Sequence, residues 1–192
     1  MEAILSEQKE LTQPALSGML RVRSANQVLK ESSETPDPKQ YYPHMIVEGE
    51  ITILFADTGI GKSVIAVQIG DYIARQGVPL LYVDLELSDK QFEKRYRDDG
   101  GRLYRFPDCF YRADFTPSFE YPKGVSYEDY FIKSLREAIT ACGAKVVIID
   151  NMTKLSAADT DTAKATIPIM NEVTKLKHEG LTFLAIEHNK KS

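Results

Sequence analysis

The segment A-D-T-G-I-G-K-S, Ala56–Ser63, constrains the fold of this 192-residue chain more than any other. It lies between the apolar runs I-T-I-L-F and V-I-A-V-Q-I, which predict a strand over Glu50–Phe55 and a helix over Gly61–Gln76. A glycine-containing turn that joins a strand to a helix and closes with G-K-S matches the phosphate-loop pattern from its sixth position onward. The chain is therefore expected to fold as a strand, a loop and a helix around bound phosphate.

The residues of this loop meet the chemical needs of a nucleotide's phosphate groups. Backbone N–H groups of residues 58–64, at the start of a helix, are expected to point at phosphate oxygens. Lys62 adds a cation near the β- and γ-phosphates, and the Ser63 hydroxyl is placed to bind Mg²⁺. Ala56 stands where the pattern begins with glycine, so the loop must start in a conformation that alanine tolerates. The residues expected to contact the nucleotide are Asp57, Thr58, Gly59, Ile60, Gly61, Lys62, Ser63 and Val64.

Another apolar run, V-V-I-I-D, predicts a strand over Lys145–Asp150 that is covered on both faces. Its last residue, Asp150, would lie at the carboxyl end of the strand, where open α/β sheets bind ligands. An aspartate at this place commonly positions the metal ion of a nucleotide site. Asp150 and Ser63 are therefore the predicted ligands of Mg²⁺.

The catalytic base is expected on a different strand, because Asn151, and not an acid, follows the V-V-I-I-D run. The segment L-Y-V-D-L-E-L-S, residues 81–88, carries Asp84 and Glu86 near the end of a predicted strand. A carboxylate held there can orient and deprotonate water for in-line attack on a phosphate. The local sequence explains Glu86 equally well as an acid at the N-terminus of the helix that follows.

Strand and helix signals alternate from Met45 onward, which predicts an α/β fold with a mainly parallel sheet and right-handed crossovers. Residues 1–40 are weakly patterned and predict an N-terminal extension. We expect a short helix there, from a capping box at Ser24–Gln27 to Leu29 or Lys30, and then a polar linker. The further predicted elements are the strands Pro79–Leu85, 109–113 and Leu181–Ile186, and the helices after Ser88, over Tyr127–Cys142 and over Thr162–Glu179.

The composition is that of a globular chain, with 43% apolar and 27% charged residues and a net charge of only −4. Nucleic-acid binding would therefore need a local basic patch instead of bulk charge. No window approaches the ~18 apolar residues of a membrane span, and the acidic N-terminus is not a signal peptide. Because the two cysteines form no spaced motif, a reduced cytoplasmic protein is expected.

One candidate basic patch is the segment R-Y-R-D-D-G-G-R-L-Y-R, residues 95–105. Its arginines are interleaved with Tyr96 and Tyr104, a pattern that can contact the phosphates and bases of a nucleic acid. Asp98 and Asp99 interrupt the basic run, however. A solvated helix end of mixed charge is the better interpretation.

Taken in order, A-D-T-G-I-G-K-S, L-Y-V-D-L-E-L-S, V-V-I-I-D-N and L-A-I-E-H-N-K-K-S resemble the motifs of RecA-like ATPases, over about residues 20–192. The chain looks most like the branch that contains the RepA plasmid replicative helicase, with the hexameric DnaB-type helicases as close relatives. The resemblance implies a three-layer RecA-like P-loop NTPase fold over residues 41–192, with ATP and Mg²⁺ as ligands. It also implies a helicase-like ATPase that works on single-stranded DNA in plasmid or mobile-element replication or mobilisation. A hexamer is expected of the full-length protein, and the C-terminal strands of the domain are expected to be missing here.

The resemblance also implies roles for individual residues. Glu86 matches the glutamate that activates water, and Asp150 matches the aspartate of the metal-binding strand. His188 matches the second histidine of an H-H-x-x-K motif and resembles a polar sensor of the γ-phosphate. Lys191 matches the lysine of that motif, whereas Glu187 stands in the place of its first histidine. The predicted catalytic residues are Glu86, Lys62 and His188.

Two other functions remain open from the sequence. A small-molecule P-loop kinase would use Asp84 to orient an acceptor hydroxyl and the arginine-rich segment 95–105 as a lid. A nucleotide-dependent regulatory binding module with little turnover would agree with Asn151 in the place of an acid. Transfer of phosphate to a metabolite would indicate the kinase, and tight ATP binding without hydrolysis would indicate the regulatory module.

Overall fold

Five parallel strands form the central sheet of the protein. The structure, a computed structural model, describes residues 15–17, 20–57, 59–116, 122–155 and 162–188. The chain divides into two compact units, residues 1–38 and residues 39–192. The elements in chain order are β1 (Ala15–Ser17), β2 (Leu20–Val22), α1 (Ala25–Ser32), β3 (Gln40–Tyr42), β4 (Ile46–Val47), β5 (Ile51–Ala56), α2 (Lys62–Arg75), β6 (Leu80–Asp84), α3 (Asp89–Arg95), β7 (Phe110–Ala113), α4 (Tyr127–Cys142), β8 (Val146–Asp150), a 3-10 turn (Met152–Leu155), α5 (Thr162–His178) and β9 (Thr182–His188).

Within the smaller unit, the described residues include the antiparallel pair of strands β1 and β2 and the helix α1. The Ser24 hydroxyl oxygen caps this helix by accepting the Gln27 N–H at 3.1 Å. The predicted capping box is only half formed, because the Gln27 side chain donates to Glu31 at 2.8 Å and not to the backbone of the cap. The helix runs to Ser32, slightly beyond its predicted end.

In the larger unit the sheet has the strand order β5-β9-β8-β6-β7, with every pair parallel. One face packs against α2, β3 and β4, and the other packs against α4, α5 and the 3-10 turn. The arrangement is therefore three-layered. Strands β6 and β8 are buried along their whole length. For β8, this is what the uninterrupted apolar run V-V-I-I predicts, as a strand covered on both faces.

The elements predicted from Glu50 onward are present, with ends that differ by two residues at most. The helix Tyr127–Cys142 has its predicted bounds, because the Ser126 hydroxyl oxygen accepts the Asp129 N–H and Gly143 ends the helix at a φ of 63°. The two-strand ladder of β3 and β4 was not predicted, since two or three residues are too few to show a period. Among the helices of the described ranges, none combines the length and the apolar character needed to cross a membrane.

The arginine-rich segment 95–105 is a small hairpin, so the interpretation as a helix end is wrong for most of its length. Arg97 and Leu103 form an antiparallel bridge, and the Tyr104 N–H donates to the Tyr96 carbonyl at 2.8 Å. Asp98 favours the turn, because its carboxylate accepts the Arg102 backbone N–H at 2.8 Å. The interrupting acid is thus part of the turn itself.

Helix α2 packs closely on the sheet at Gly70, in the middle of the helix. A Cβ atom added at Gly70 would lie 2.9 Å from Phe110 Cε2 and 3.1 Å from Ile148 Cδ1. Both distances are shorter than ordinary carbon–carbon contacts. The glycine therefore allows the helix that follows the phosphate loop to approach β7 and β8.

We predict that Gly70→Ala lowers the free energy of unfolding by about 1 kcal/mol, because overpacking costs about 1–3 kcal/mol and the helix preference of alanine returns only about 1 kcal/mol. Urea unfolding followed by circular dichroism measures the change. Gln68→Ala, at an exposed position of the same helix, is the control and should be neutral or stabilising. An unchanged or increased stability of Gly70→Ala would show that the helix is not in close contact there.

Candidate active site

The loop between β5 and α2 is built on glycines with left-handed backbone conformations. Gly59 has a φ of 86° and Gly61 a φ of 91°, values that side chains with a Cβ rarely adopt. Gly61 is the N-cap of α2, and its carbonyl accepts the Ile65 N–H at 3.0 Å. The loop therefore ends at a helix N-terminus whose first N–H groups have no partner within the helix, which is the environment that anions favour.

Lys62 is the first residue of α2 and is buried, with only 5% of its surface exposed. Its Nζ donates to the Asp57 carbonyl at 2.7 Å, so the ammonium group lies inside the loop. Ile60 and Val64 are exposed beside it, and Gly59 is exposed as well. Among the predicted nucleotide contacts, Thr58 lies outside the described residues.

The predicted metal ligands Ser63 and Asp150 lie together. Asp150 ends β8, is 2% exposed, and its Oδ2 accepts a hydrogen bond from the Tyr82 hydroxyl at 2.6 Å. Its Oδ1 is buried without a full hydrogen bond from any described residue, although the Ser63 hydroxyl is close enough to favour the ionised carboxylate. A buried carboxylate oxygen with spare acceptor capacity beside a hydroxyl is a donor set that fits Mg²⁺.

Burial raises the pKa of Asp150 above its ordinary value. Hydrogen bonds from Tyr82 and Ser63 oppose that effect, and the negative charges of Glu86 and Asp84 add to it. Burial also raises the pKa of the Tyr82 hydroxyl, and the neighbouring Asp150 carboxylate raises it further. Tyr82 therefore stays protonated and donates to Asp150, a contact that the sequence analysis did not anticipate.

Asp84 and Glu86 have different environments although they are two residues apart. Asp84 is 1% exposed, and its Oδ1 accepts the N–H groups of Glu86 and Leu87 at 3.1 and 2.9 Å. Glu86 is exposed. Asp84 therefore folds the turn after β6, and Glu86 is the carboxylate of the pair that reaches toward solvent at the edge of the sheet.

Asn151 is a site residue that the sequence analysis treated only as a missing acid. It is fully buried, and its Nδ2 donates to Glu86 Oε1. Its Oδ1 accepts the Lys154 N–H at 3.1 Å at the start of the 3-10 turn, which fixes the direction of the amide. In the sequence, the one indication that Asn151 belongs to the site is that it directly follows Asp150.

His188, the predicted γ-phosphate sensor, ends β9, and its backbone lies in register with Ala56 of β5. Strand β9 therefore ends beside the start of the phosphate loop. Lys191 lies outside the described residues. The structure thus brings Lys62, Ser63, Asp150 and Glu86 to one edge of the sheet and places the backbone of His188 at the same edge.

Comparisons with known proteins agree with this geometry. Residues 20–192 match a protein family, AAA_25, described as an AAA domain. Among solved structures, the chain is similar to the KaiC-like protein PH0186 from the hyperthermophilic archaeon Pyrococcus horikoshii OT3. The TM-score is 0.54 and the identity 19%, covering 80% of this chain and 70% of that one. A comparison with curated proteins returned no match.

The structural likeness confirms the predicted RecA-like α/β fold, a parallel sheet of five strands between helices. At 19% identity the likeness establishes the fold and nothing more detailed. The family match covers most of the chain and includes the phosphate loop and both carboxylate-bearing strand ends. The family match makes ATP the expected ligand of the loop. The chain therefore belongs to this AAA domain family and has the RecA-like fold.

Proposed function

We propose that this chain hydrolyses ATP in a Mg²⁺-dependent reaction and couples it to single-stranded DNA, as a helicase-like ATPase of plasmid or mobile-element replication or mobilisation. The observation that supports hydrolysis is the convergence of Lys62, Ser63, Asp150 and Glu86 at one edge of the sheet. The four sequence motifs, which resemble those of the RepA and DnaB branch, support the coupling to DNA and a hexameric assembly.

In this proposal the chain's own residues position the reacting atoms. The N–H groups at the start of α2 and the Lys62 ammonium bind the phosphate oxygens. Ser63 and Asp150 would hold Mg²⁺, which when bound neutralises charge on the β- and γ-phosphates. Glu86 orients a water molecule and accepts its proton as the water oxygen attacks the γ-phosphorus and the bond to the bridging oxygen breaks. His188 senses the γ-phosphate.

A regulatory module with little turnover is the second candidate, and one contact favours it. The Glu86 carboxylate accepts a hydrogen bond from Asn151, so the proposed base is engaged by the protein itself. The kinase alternative has less support. Its acceptor-orienting residue, Asp84, is buried and bound to two backbone N–H groups of its own turn.

The central test compares Lys62→Ala and Glu86→Gln with the parent protein. We expect Lys62→Ala to lose ATP binding, because the buried ammonium is removed from the phosphate loop. We expect Glu86→Gln to retain binding and to lose about 100- to 10,000-fold in the rate of hydrolysis, the usual contribution of a general base. Fluorescent-ATP titration and phosphate release measure the two effects.

Lys133→Ala and Glu137→Gln, at exposed positions of α4, are the matched controls and should behave as the parent does. Unchanged binding and turnover in Lys62→Ala would refute the proposed site. Tight ATP binding by the parent, with negligible hydrolysis that Glu86→Gln does not alter, would instead establish the regulatory module.

The proposed partner is tested by measuring ATP hydrolysis with and without single-stranded DNA. We expect the rate to rise with single-stranded DNA, and the mass in solution to increase toward a hexamer when ATP and Mg²⁺ are present. Duplex DNA and single-stranded RNA of the same length serve as controls for the effector. A monomer whose rate of ATP hydrolysis is the same with and without each of the three nucleic acids would contradict the coupling. It would not contradict the proposed hydrolysis of ATP.

Tyr82→Phe tests the support of the metal-binding carboxylate. The Tyr82 hydroxyl makes a hydrogen bond to Asp150 that favours the ionised form, and bonds to charged groups contribute about 1.5–3 kcal/mol. We therefore expect the Mg²⁺ concentration for half-maximal hydrolysis to rise about tenfold. Tyr111→Phe, at an exposed position of β7, should leave it unchanged. An unaltered Mg²⁺ dependence in Tyr82→Phe would show that the hydrogen bond does not position Asp150.

A further inference from the structure

Arg112 lies on β7, one strand beyond the strand that leads to Glu86, and only 16% of its side chain is exposed. Its Nε donates to the buried Asp84 Oδ2 at 3.0 Å, and its Nη2 donates to the Leu87 carbonyl at 2.5 Å. Its Nη1 donates to Asp89 at 2.7 Å and to Asp114 at 2.8 Å. One guanidinium group therefore binds the end of β6, the following turn and the start of α3.

These bonds hold the backbone at Glu86, the residue that carries the proposed base. Asp84 accepts the N–H groups of Glu86 and Leu87 on one carboxylate oxygen and Arg112 on the other. The Leu87 carbonyl is bound to the same guanidinium. Both peptide groups of Leu87 are thus held, one directly by Arg112 and one through Asp84. The backbone of Glu86 cannot change direction unless at least one of these bonds breaks.

The helix after the turn is bound to the same group. The Arg112 guanidinium carbon lies 4.9 Å from the centre of the Phe92 ring, on α3, which is the distance of a cation–π contact. Phe92 in turn packs on Tyr96, with ring centres 4.7 Å apart. Contact with a ring and with four oxygen acceptors fixes the plane of the guanidinium as well as its position.

Charge gives a second reason for a cation at this place. Asp84 is almost fully buried, and its negative charge raises the pKa of Asp150, so the two carboxylates repel each other. Arg112 supplies the opposing charge against Asp84. Without it, an uncompensated negative charge would lie beside the proposed binding place of the nucleotide's phosphates.

We propose that Arg112 is a positioning residue for hydrolysis, which sets the place of the Glu86 carboxylate by binding Asp84, Leu87 and Asp89 together. The inference rests on the proposed function of Glu86 as the base. Arg112 itself contacts no reacting atom. Its effect is exerted through the turn that follows β6.

The diagnostic variant is Arg112→Lys. Arg112→Ala would leave Asp84 buried without a counter-charge and is prone to unfold, whereas lysine retains the charge and loses the planar set of donors. We expect ATP affinity to stay close to that of the parent and kcat to fall about 100-fold, because small displacements of a catalytic group cost about this much. Arg102→Lys, on the exposed hairpin and in an ion pair with Asp98, is the control and should have the parent's kcat.

A double-mutant cycle separates positioning from general damage. In the Glu86→Gln background, Arg112→Lys should cause little further loss of rate, because the group that it positions no longer acts as a base. An equal fold-loss in both backgrounds would overturn the proposal. So would an Arg112→Lys variant with the parent's kcat.

Amide hydrogen exchange gives a readout that does not depend on hydrolysis. In Arg112→Lys without nucleotide, exchange at the Glu86 and Leu87 amides should increase while exchange in α4 stays as in the parent. Increased exchange together with hydrolysis that is insensitive to Glu86→Gln would refute the proposed function and leave the positioning of the turn in place. Unchanged exchange at both amides would refute the role of Arg112 directly.

Discussion

The parallel pairing of β6 with β8 is the constraint on which the site depends. Asp84 lies opposite Asp150 in this register, and the Leu85 N–H donates to the Asp150 carbonyl at 2.7 Å, immediately beyond the paired strands. Because parallel strands end at the same edge of a sheet, two carboxylates that are distant in sequence become neighbours there. A shift of one residue would turn each side chain to the opposite face and separate them.

The two buried aspartates at this edge are stabilised in different ways, which supports the different roles that we propose for them. Asp84 is surrounded by hydrogen-bond donors, so it acts as a fixed anion that shapes the turn carrying Glu86. Asp150 has one strong donor, Tyr82, and keeps a buried oxygen with spare acceptor capacity. Incomplete satisfaction of a buried charge is costly in a purely structural residue and is expected of one that binds a cation.

Much of this architecture could be predicted from local patterns. The run V-V-I-I-D indicated a strand covered on both faces, and the helix Tyr127–Cys142 could be bounded by its serine cap and its terminal glycine. The hairpin at residues 95–105 could not, because its strands pair over one bridge and its turn depends on a single aspartate. Elements that are defined by hydrophobic periodicity and by capping residues can be predicted from a sequence. Elements that depend on a few specific contacts cannot.

The sequence by itself determined the order of the elements, the phosphate loop and the candidate residues Lys62, Ser63, Glu86 and Asp150, because each is defined by neighbours within a few positions. From the local sequence alone, Glu86 could equally be a catalytic base or an acid at a helix N-terminus. Asn151 was noted only because it stands in the place of an acid. Only the tertiary structure decided that Asn151 contacts Glu86 and that Tyr82 contacts Asp150. It also decided that Arg112 binds the turn after β6. Those contacts join residues that are 25 to 68 positions apart in sequence, so strand order and register, and not local pattern, bring them about.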